Sequence, residues 1–522
     1  MLLIDLKMVQ YRVSYKYMEH ISILNNKKLI FILLIVCFPI YFIKSEEKNT
    51  DYSSPFSIEE VINVLSLNSP MAQMEHLKYQ NNLLEFENYK KELYPSFALN
   101  LNPVSFNRSL RQLQNSTDGS YNYVEDYSNS SNLGVSIRQK IPFTGGELNF
   151  GSNINYLNEF SFDRSSFNTT PFNIGYSQQL LGARRTYFFE RTIRYKQNEI
   201  AIKQYCTNIS NIQHQALELF MSAFFNNLEL ELTKQNRAIT DTLLQIADIK
   251  LKNGNMLEAD HKQLQLQHLN NLYSCENAEK NIQASIQKLS TFLGTDISKP
   301  LENRLLNADF PEMLDIELIR YYFNQNNSFS ISQQIKRIEA ERSLFTAKLT
   351  NSFNANISLN YGLNQYANKL SEAYHQPNMQ QSVMIGLQIP VFQWGINKNK
   401  IQIAKNAHAS TLLEIEQKEQ KMYDEIRDKV NSYNFCINLW KIGERSYSLS
   451  QEQYEMSIQK FLLGKISVYE LSKMQQEQFD SMKRYYNAVK DVWNNYFSIR
   501  TLTLYDFIKK RELVDILINT EK

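Results

Sequence analysis

Glycine and proline are scarce in this chain, 14 and 11 among 522 residues. That scarcity excludes collagen-like, Gly/Ser-linker and Pro-rich architectures and favours long uninterrupted elements. Cysteine is scarcer still: Cys37, Cys206, Cys275 and Cys436 stand at spacings that make neither a disulfide framework nor a metal clip. Among seven histidines, His261 and His268 lie seven apart on a helical pattern without a third ligand, so no metal site is assigned. An excess of one charge is missing too, since the net charge is +2, and nucleic acid is an improbable partner. There is no P-loop, no Gly-x-Ser-x-Gly and no two-glycine phosphate cradle, hence no catalytic residue, no cofactor and no enzymatic reading. A mean hydropathy of −0.43 excludes a polytopic helical membrane protein, whereas 43% hydrophobic and 12% aromatic residues exclude a disordered chain.

One apolar run interests a membrane, residues 29–43, preceded by Lys27 and Lys28 and interrupted by Pro39. At 15 residues it falls short of the roughly 20 a spanning helix needs. Residues 1–45 read as a secretory signal peptide, with Met18 a plausible start and cleavage after Ser45; the alternative is a tilted N-terminal anchor. Cys37 lacks the small preceding residue that lipidation wants. Without residues 1–45 the balance is 50 Lys/Arg against 52 Asp/Glu.

The chain also repeats itself. Lys250 to Asp260, with Gly254 at its centre, is echoed by Lys460 to Glu470 around Gly464. Tyr94-Pro95-Ser96-Phe97 is echoed near Ser352-Phe353, and Gly182 by Gly395. The first repeat is read as 46–312: helix 57–94, strand region 96–181, long helix 183–253 and helix 257–293. The second is read as 313–506: helix 328–350, strand region 353–392, long helix 396–463 and helix 467–506, before a tail at 507–522. Gly-to-Gly offsets match within three residues across the helical arms, but the first strand region is 43 residues longer.

Phe353, Ala355, Ile357, Leu359, Tyr361 and Leu363 alternate without a miss against amides, Ser and Gly, and Val383 to Val391 behave alike. Four such strands are expected in the first half and two in the second, with 107–132 a long polar loop. A greasy face backed by an amide-rich one suits either an ordinary sheet with one solvated face or a barrel wall between lipid and a water-filled lumen. The long helices, 71 and 68 residues, are each roughly 100 Å and must pack laterally as coiled coils.

Tyr94-Pro95-Ser96-Phe97, the run Gln388-Ile389-Pro390-Val391-Phe392-Gln393-Trp394-Gly395, the turns at Gly254 and Gly464, and Leu289 to Gly294 occur in an order that resembles the TolC family of outer-membrane efflux proteins. The likeness covers about 56–506. It implies a mainly α fold with membrane β: a long antiparallel coiled-coil α-barrel plus an outer-membrane β-barrel of twelve strands shared by a homotrimer, built from two structural repeats. Residues 295–329 and the tail would belt the cylinder. The implied function is a passive exit duct of a Gram-negative outer membrane, with a large periplasmic part. Its partners would be a periplasmic adaptor and an inner-membrane transporter of RND, ABC or MFS type. The alternative reading is a secreted coiled-coil scaffold or adhesin without a channel.

By the same resemblance, Gly254 and Gly464 mark the periplasmic tip where the adaptor docks, and Pro95, Gly182, Pro390 and Gly395 the strand–helix junctions. Glu470 matches the first acidic position of the family's aperture, Lys473 departs from the second, and Asp260 holds the matching place in the first half. An exposed coiled-coil glutamate is the bland alternative for Glu470. The surplus hairpin, 133–157, is expected to fold outside the barrel, because six added strands would mismatch the helical cylinder below.

Overall fold

The computed structural model describes residues 58–114, 119–297 and 310–514, all within one compact unit, Pro55–Lys522. The expected signal peptide lies outside the described residues. Helix α1 spans Pro70–Lys91, not 57–94. Ser69 accepts a hydrogen bond from Ala72 N at 3.2 Å, and Pro70, which has no N–H to give, occupies the first turn. Residues Ile58–Leu65 therefore form a separate short helical segment.

Strands β1 Ser96–Gln114, β2 Tyr121–Ile141, β3 Gly146–Glu159 and β4 Arg164–Gln179 follow, then helices α2 Ala183–Lys252 and α3 Glu258–Leu293. The second half comprises α4 Ile316–Asn326, α5 Phe329–Thr350, β5 Asn354–Ala367, β6 Asn378–Gln388, α6 Ile396–Leu462 and α7 Val468–Thr503. Helix α7 stops short of 506 at Leu504, whose φ is 49°, and the chain after it forms a two-residue ladder, β7 Tyr505–Asp506 with β8 Arg511–Glu512.

The long helices are held by heptad seams rather than by propensity. On α2 the buried positions Cys206, Ile209, Gln213, Ala216, Phe220 and Ala223 step by three and four. On α7 Met482, Tyr485, Val489, Val492, Tyr496 and Ile499 do the same. Helix α2 packs chiefly on α3, and α6 on α7. The main core lies at mid-length, where Ile319 and Phe323 of α4 join Leu289 and Leu293 of α3, Tyr433 of α6 and Trp493 of α7. Each such side chain, taken fully from water, contributes about 1.5–3 kcal/mol. Tyr433 O–H donates to Pro311 O at 2.7 Å, and Asn434 brackets Leu314 N and O, pinning the incoming segment to α6. Burial pushes the Tyr433 hydroxyl well above its ordinary range.

The same level carries a buried charged clasp. Arg500 Nε lies 3.5 Å from Asp506 Oδ2, and its two terminal nitrogens donate to Gln213 Oε1 of α2 at 3.1 Å. Asp506 Oδ1 accepts from Tyr496 O–H at 2.7 Å and from Ile508 N and Lys509 N. Burial depresses the Arg500 pKa, and the Asp506 carboxylate opposes that shift.

All six long strands make one antiparallel sheet in chain order, β1-β2-β3-β4-β5-β6. Two expectations are corrected here. Residues 107–114 and 121–132, expected within a loop, are strand: β1 and β2 continue as a ribbon to the pair Gln114↔Tyr121. Its polar sequence hid it, because without a run of apolar residues on one face it shows no alternation. Aromatic contacts among Phe106, Tyr127 and Phe160 stiffen its base. Nor is the surplus hairpin set apart: β2 pairs with β1 and β3, and β3 with β2 and β4, in the middle of the sheet. Strand β6 ends at Gln388, so Ile389 and Val391 lie beyond it, next to Pro390, which cannot donate to a ladder.

Candidate functional site: sheet, junctions and helical tip

Cross-strand pairing sorts the sheet into two faces. One row reads Phe97, Ile137, Phe150, Ile174, Tyr361, Gln381 across β1 to β6; an adjacent row on the opposite face reads Ala98, Ser136, Gly151, Asn173, Gly362, Gln380. The greasy face is open: Phe97 and Val383 are each 72% exposed. Among the described residues, no helix is long and apolar enough to cross a membrane.

At the junctions Tyr94 and Pro95 link α1 to β1, and Gly182 and Gly395 stand at the N-caps of α2 and α6 with φ of 80° and 82°. Pro390 lies in the irregular link from β6 to α6. This end of the sheet is ringed by exposed aromatics, Tyr94, Phe143, Phe353, Phe392 and Trp394. Arg184 stacks over Phe143 at 4.5 Å and Arg185 over Phe345 at 4.7 Å. Rings with cationic neighbours suit the boundary between lipid and water.

At the other end the two helical hairpins turn alike. Asn255 N donates to Lys250 O at 2.8 Å and Gly254 N to Leu251 O at 3.0 Å; Lys465 N donates to Lys460 O at 2.9 Å and Gly464 N to Phe461 O at 2.9 Å. Each is the double bond of a Schellman cap, which requires a left-handed residue, and Gly254 and Gly464 have φ of 70° and 71°. Lys250 Nζ reaches Leu462 O at 3.3 Å, tying one tip to the other. Leu257 and Leu463, beside the turns, are 71% and 70% exposed.

Glu470 is the third residue of α7, and Asp260 the third of α3. The Glu470 carboxylate accepts from Ser467 N at 2.9 Å while Ser467 Oγ accepts from Glu470 N at 3.2 Å. This capping box was legible as Ser-x-x-Glu, although the resemblance drew attention to the charge instead. Lys473 is exposed on the next turn. The structure thus brings Glu470 and Lys473 onto one helix start, with Asp260 at the corresponding start beside it in the fold order.

Features the sequence did not reveal lie just above. His261 Nε2 meets Asp248 Oδ1 at 2.5 Å, and His268 Nδ1 stands 2.7 Å from Asp241 Oδ1, so each histidine faces a carboxylate across α2 and α3. Gln267 is hydrogen-bonded to Gln475 and accepts from Ser472 Oγ at 2.5 Å, joining α3 to α7 at a polar cavity of about 230 Å³. Among the described residues no group of three or more His, Cys, Asp or Glu could hold a metal. Along α6 Phe435, Ile442, Leu449 and Met456 recur every seven residues, all exposed, an open coiled-coil stripe.

Residues 324–503 match the model of the outer membrane efflux protein family. No curated protein matches the chain in sequence. Among solved structures, the CmeC outer membrane channel of Campylobacter jejuni is 13% identical with a TM-score of 0.62, covering 92% of this chain and 94% of its own. The MtrE outer membrane channel of Neisseria gonorrhoeae, in its open state, is 11% identical with a TM-score of 0.58, covering 85% and 88%. A membrane protein of Pseudomonas aeruginosa is 11% identical with a TM-score of 0.62, covering 88% and 92%. At such identities the likeness is one of fold. The matched family is one of efflux proteins, not of enzymes, and nothing in these matches supports the scaffold or adhesin alternative. Residues 324–503 thus match the outer membrane efflux protein family, and the chain has the fold of outer-membrane channels such as CmeC and MtrE.

Proposed function

We propose that this chain is the outer-membrane exit duct of a tripartite efflux or secretion assembly, built from two repeats and exported by a cleaved signal peptide. The observation that carries this is the six-stranded sheet, apolar on one face and amide-lined on the other, standing at the end of helices of about 100 Å. Lipid would cover the first face and water the second, and the helices would extend the passage across the periplasm. Asn, Ser, Gly and Gln dominate the lumenal rows, so the duct imposes little charge selection there and cargo choice falls to the pump.

A homotrimer accounts for the open stripe on α6 and for the unpaired sheet edges, which lipid does not tolerate. The exposed Leu257 and Leu463 at the tip would receive helices of a periplasmic adaptor, itself bound to an inner-membrane transporter of RND, ABC or MFS type. Glu470 would line the tip aperture with Asp260 near it, and Lys473 would temper its negative charge. Density-gradient fractionation of expressing cells, followed by the mass of the detergent-extracted protein, tests the reading. A trimer in the outer-membrane fraction supports it; a soluble monomer or dimer in the periplasm refutes it.

A further inference from the structure

The duct reading leaves open how many strands each copy gives to the wall. Four strands per copy would make a barrel of twelve, yet the sheet here has six in unbroken succession. The two surplus strands are not appended to an edge. Leu133↔Ile154 and Ile137↔Phe150 pair within the hairpin, Leu99↔Val135 joins it to β1, and Phe150↔Ile174 joins it to β4. Excising it from the wall would cut both ladders and separate β1 from β4.

The hairpin also keeps the chemistry of the wall. Leu133, Val135 and Ile137 on β2 and Leu148, Phe150 and Ile154 on β3 share the greasy face with Leu359 and Val383 of the second half. Leu133 and Val135 are 45% and 47% exposed there. Gly134, Ser136, Gly151 and Asn153 fall on the amide-lined face. A hairpin folded into water or against the helices would have no use for a greasy face in register with its neighbours.

The turn of the hairpin is seated on the helix ends. Gln139 Nε2 donates to Leu93 O at 2.8 Å, Lys140 Nζ to Glu92 Oε2 at 3.2 Å, and Gln178 Nε2 to Thr144 O at 3.2 Å. Arg184 of α2 also lies over Phe143 of the turn at 4.5 Å, so the added strands rest on the ends of α1 and α2 rather than overhanging them.

The two outermost strands supply the closure. Every residue of β6 is exposed, as is β1 from Ser96 to Leu110. Six antiparallel strands in sequence leave β6 antiparallel to β1, so β6 of one copy can pair with β1 of the next and continue the alternation.

We infer that all six strands, the 133–157 hairpin included, form the outer-membrane wall, closed by β6 of each copy pairing antiparallel with β1 of a second copy of this chain. Three copies then make an 18-stranded barrel. With strands about 4.8 Å apart and tilted about 40°, the backbone diameter is about 36 Å, against about 24 Å for twelve strands. The outer section therefore passes solutes of larger cross-section than a twelve-stranded wall admits.

This inference rests on the duct reading, and one experiment separates their failures. Nitroxide labels are placed on the full-length protein in lipid vesicles at Val135→Cys and Phe150→Cys, at Ser136→Cys on the opposite face, and at Leu359→Cys as a second-half reference. The native cysteines are replaced by Ala. Collision with oxygen, which concentrates in lipid, is compared with collision with a water-soluble nickel chelate. The expected oxygen-to-chelate ratio at 135 and 150 equals that at 359 and is severalfold above that at 136. Lipid contact at 359 with chelate contact at 135 and 150 overturns the six-strand wall and leaves the duct standing. Chelate contact at all four overturns both. Closure is tested on the native background by pairing Leu99→Cys in turn with Val383→Cys, Ile385→Cys and Leu387→Cys. Oxidation is expected to give covalent dimers and trimers for one of the three pairs, and their absence in all three overturns the β6–β1 contact.

Discussion

Glu470 can be doing two things, and the capping geometry allows them to be separated. Its carboxylate takes Ser467 N at 2.9 Å, and Ser467 Oγ takes Glu470 N at 3.2 Å. Glu470→Gln keeps a side-chain oxygen at the same place, so the box survives and only the charge at the helix start is lost, about 0.3–1 kcal/mol. Ser467→Ala removes the other half of the box and costs about 1 kcal/mol, but leaves the carboxylate. If three copies bring their Glu470 side chains around one axis, a univalent cation about 6 Å from each gains roughly 2 kcal/mol even at water's permittivity, a roughly 30-fold enrichment. Reversal potentials across a planar bilayer under a tenfold salt gradient read that enrichment, and thermal denaturation in detergent reads the cap. The expected pattern is a loss of cation preference for Glu470→Gln with little change in melting, and the opposite for Ser467→Ala. An unchanged reversal potential in Glu470→Gln would refute the aperture role and leave Glu470 as a helix cap.

Asp506→Ala strands the buried Arg500 and frees Tyr496 O–H and two backbone N–H groups; a loss of about 3–5 kcal/mol is expected. In denaturant titrations Arg500→Met with Asp506→Leu should cost less than Asp506→Ala alone, and an additive double variant would show that the two do not interact. Alkali should loosen the tip. Burial holds the Tyr454 hydroxyl neutral up to about 12, above its ordinary 10.0. A folded pKa raised above the unfolded one means the contribution, on the order of 3 kcal/mol, is whole below pH 10 and lost as pH rises through 12. Limited proteolysis at the Gly464 turn should accelerate across that window, less so in Tyr454→Phe; equal acceleration in both would assign the effect elsewhere.

The sheet was legible wherever a strand has two unlike surroundings. From Phe353 to Leu363 apolar and polar residues alternate, and the structure pairs Asn354 to Leu363 within β5. The ribbon of 107–114 with 121–132 was not legible, because its mostly polar sequence carries no apolar alternation to mark one face from the other. The mainly helical class was legible from scarce Gly and Pro, yet the break before Pro70 needed the Ser69 cap to be weighed together with the proline. The clasp of Arg500 with Asp506 and Gln213 could not be read, since Gln213 lies on another helix and an isolated arginine on a polar stretch looks solvated. At the tip the turns followed from Gly254 and Gly464, whereas the pairing of His261 with Asp248 depends on helix register that spacing alone does not set.

The expectation that surplus strands would mismatch the helical cylinder assumed that strand number and helix number are locked together. The connections show why they are not. Among the described residues the chain passes between helices and sheet at four places: Tyr94–Pro95 into β1, Leu180–Gly182 into α2, Asn351–Phe353 into β5 and Ile389–Gly395 into α6. A hairpin placed between two of these crossings, as β2–β3 is between the first and the second, adds strands without adding a crossing. The helices are spaced by heptad seams such as Val489, Val492 and Tyr496, which do not involve the sheet. The turn at 142–145 is held to α2 by Arg184 over Phe143 and to β4 by the Gln178 bond, and β2 is held to the end of α1 by the Gln139 bond. The sheet can therefore gain whole hairpins without a new crossing, which is what the proposed six-strand wall requires of the helices below it.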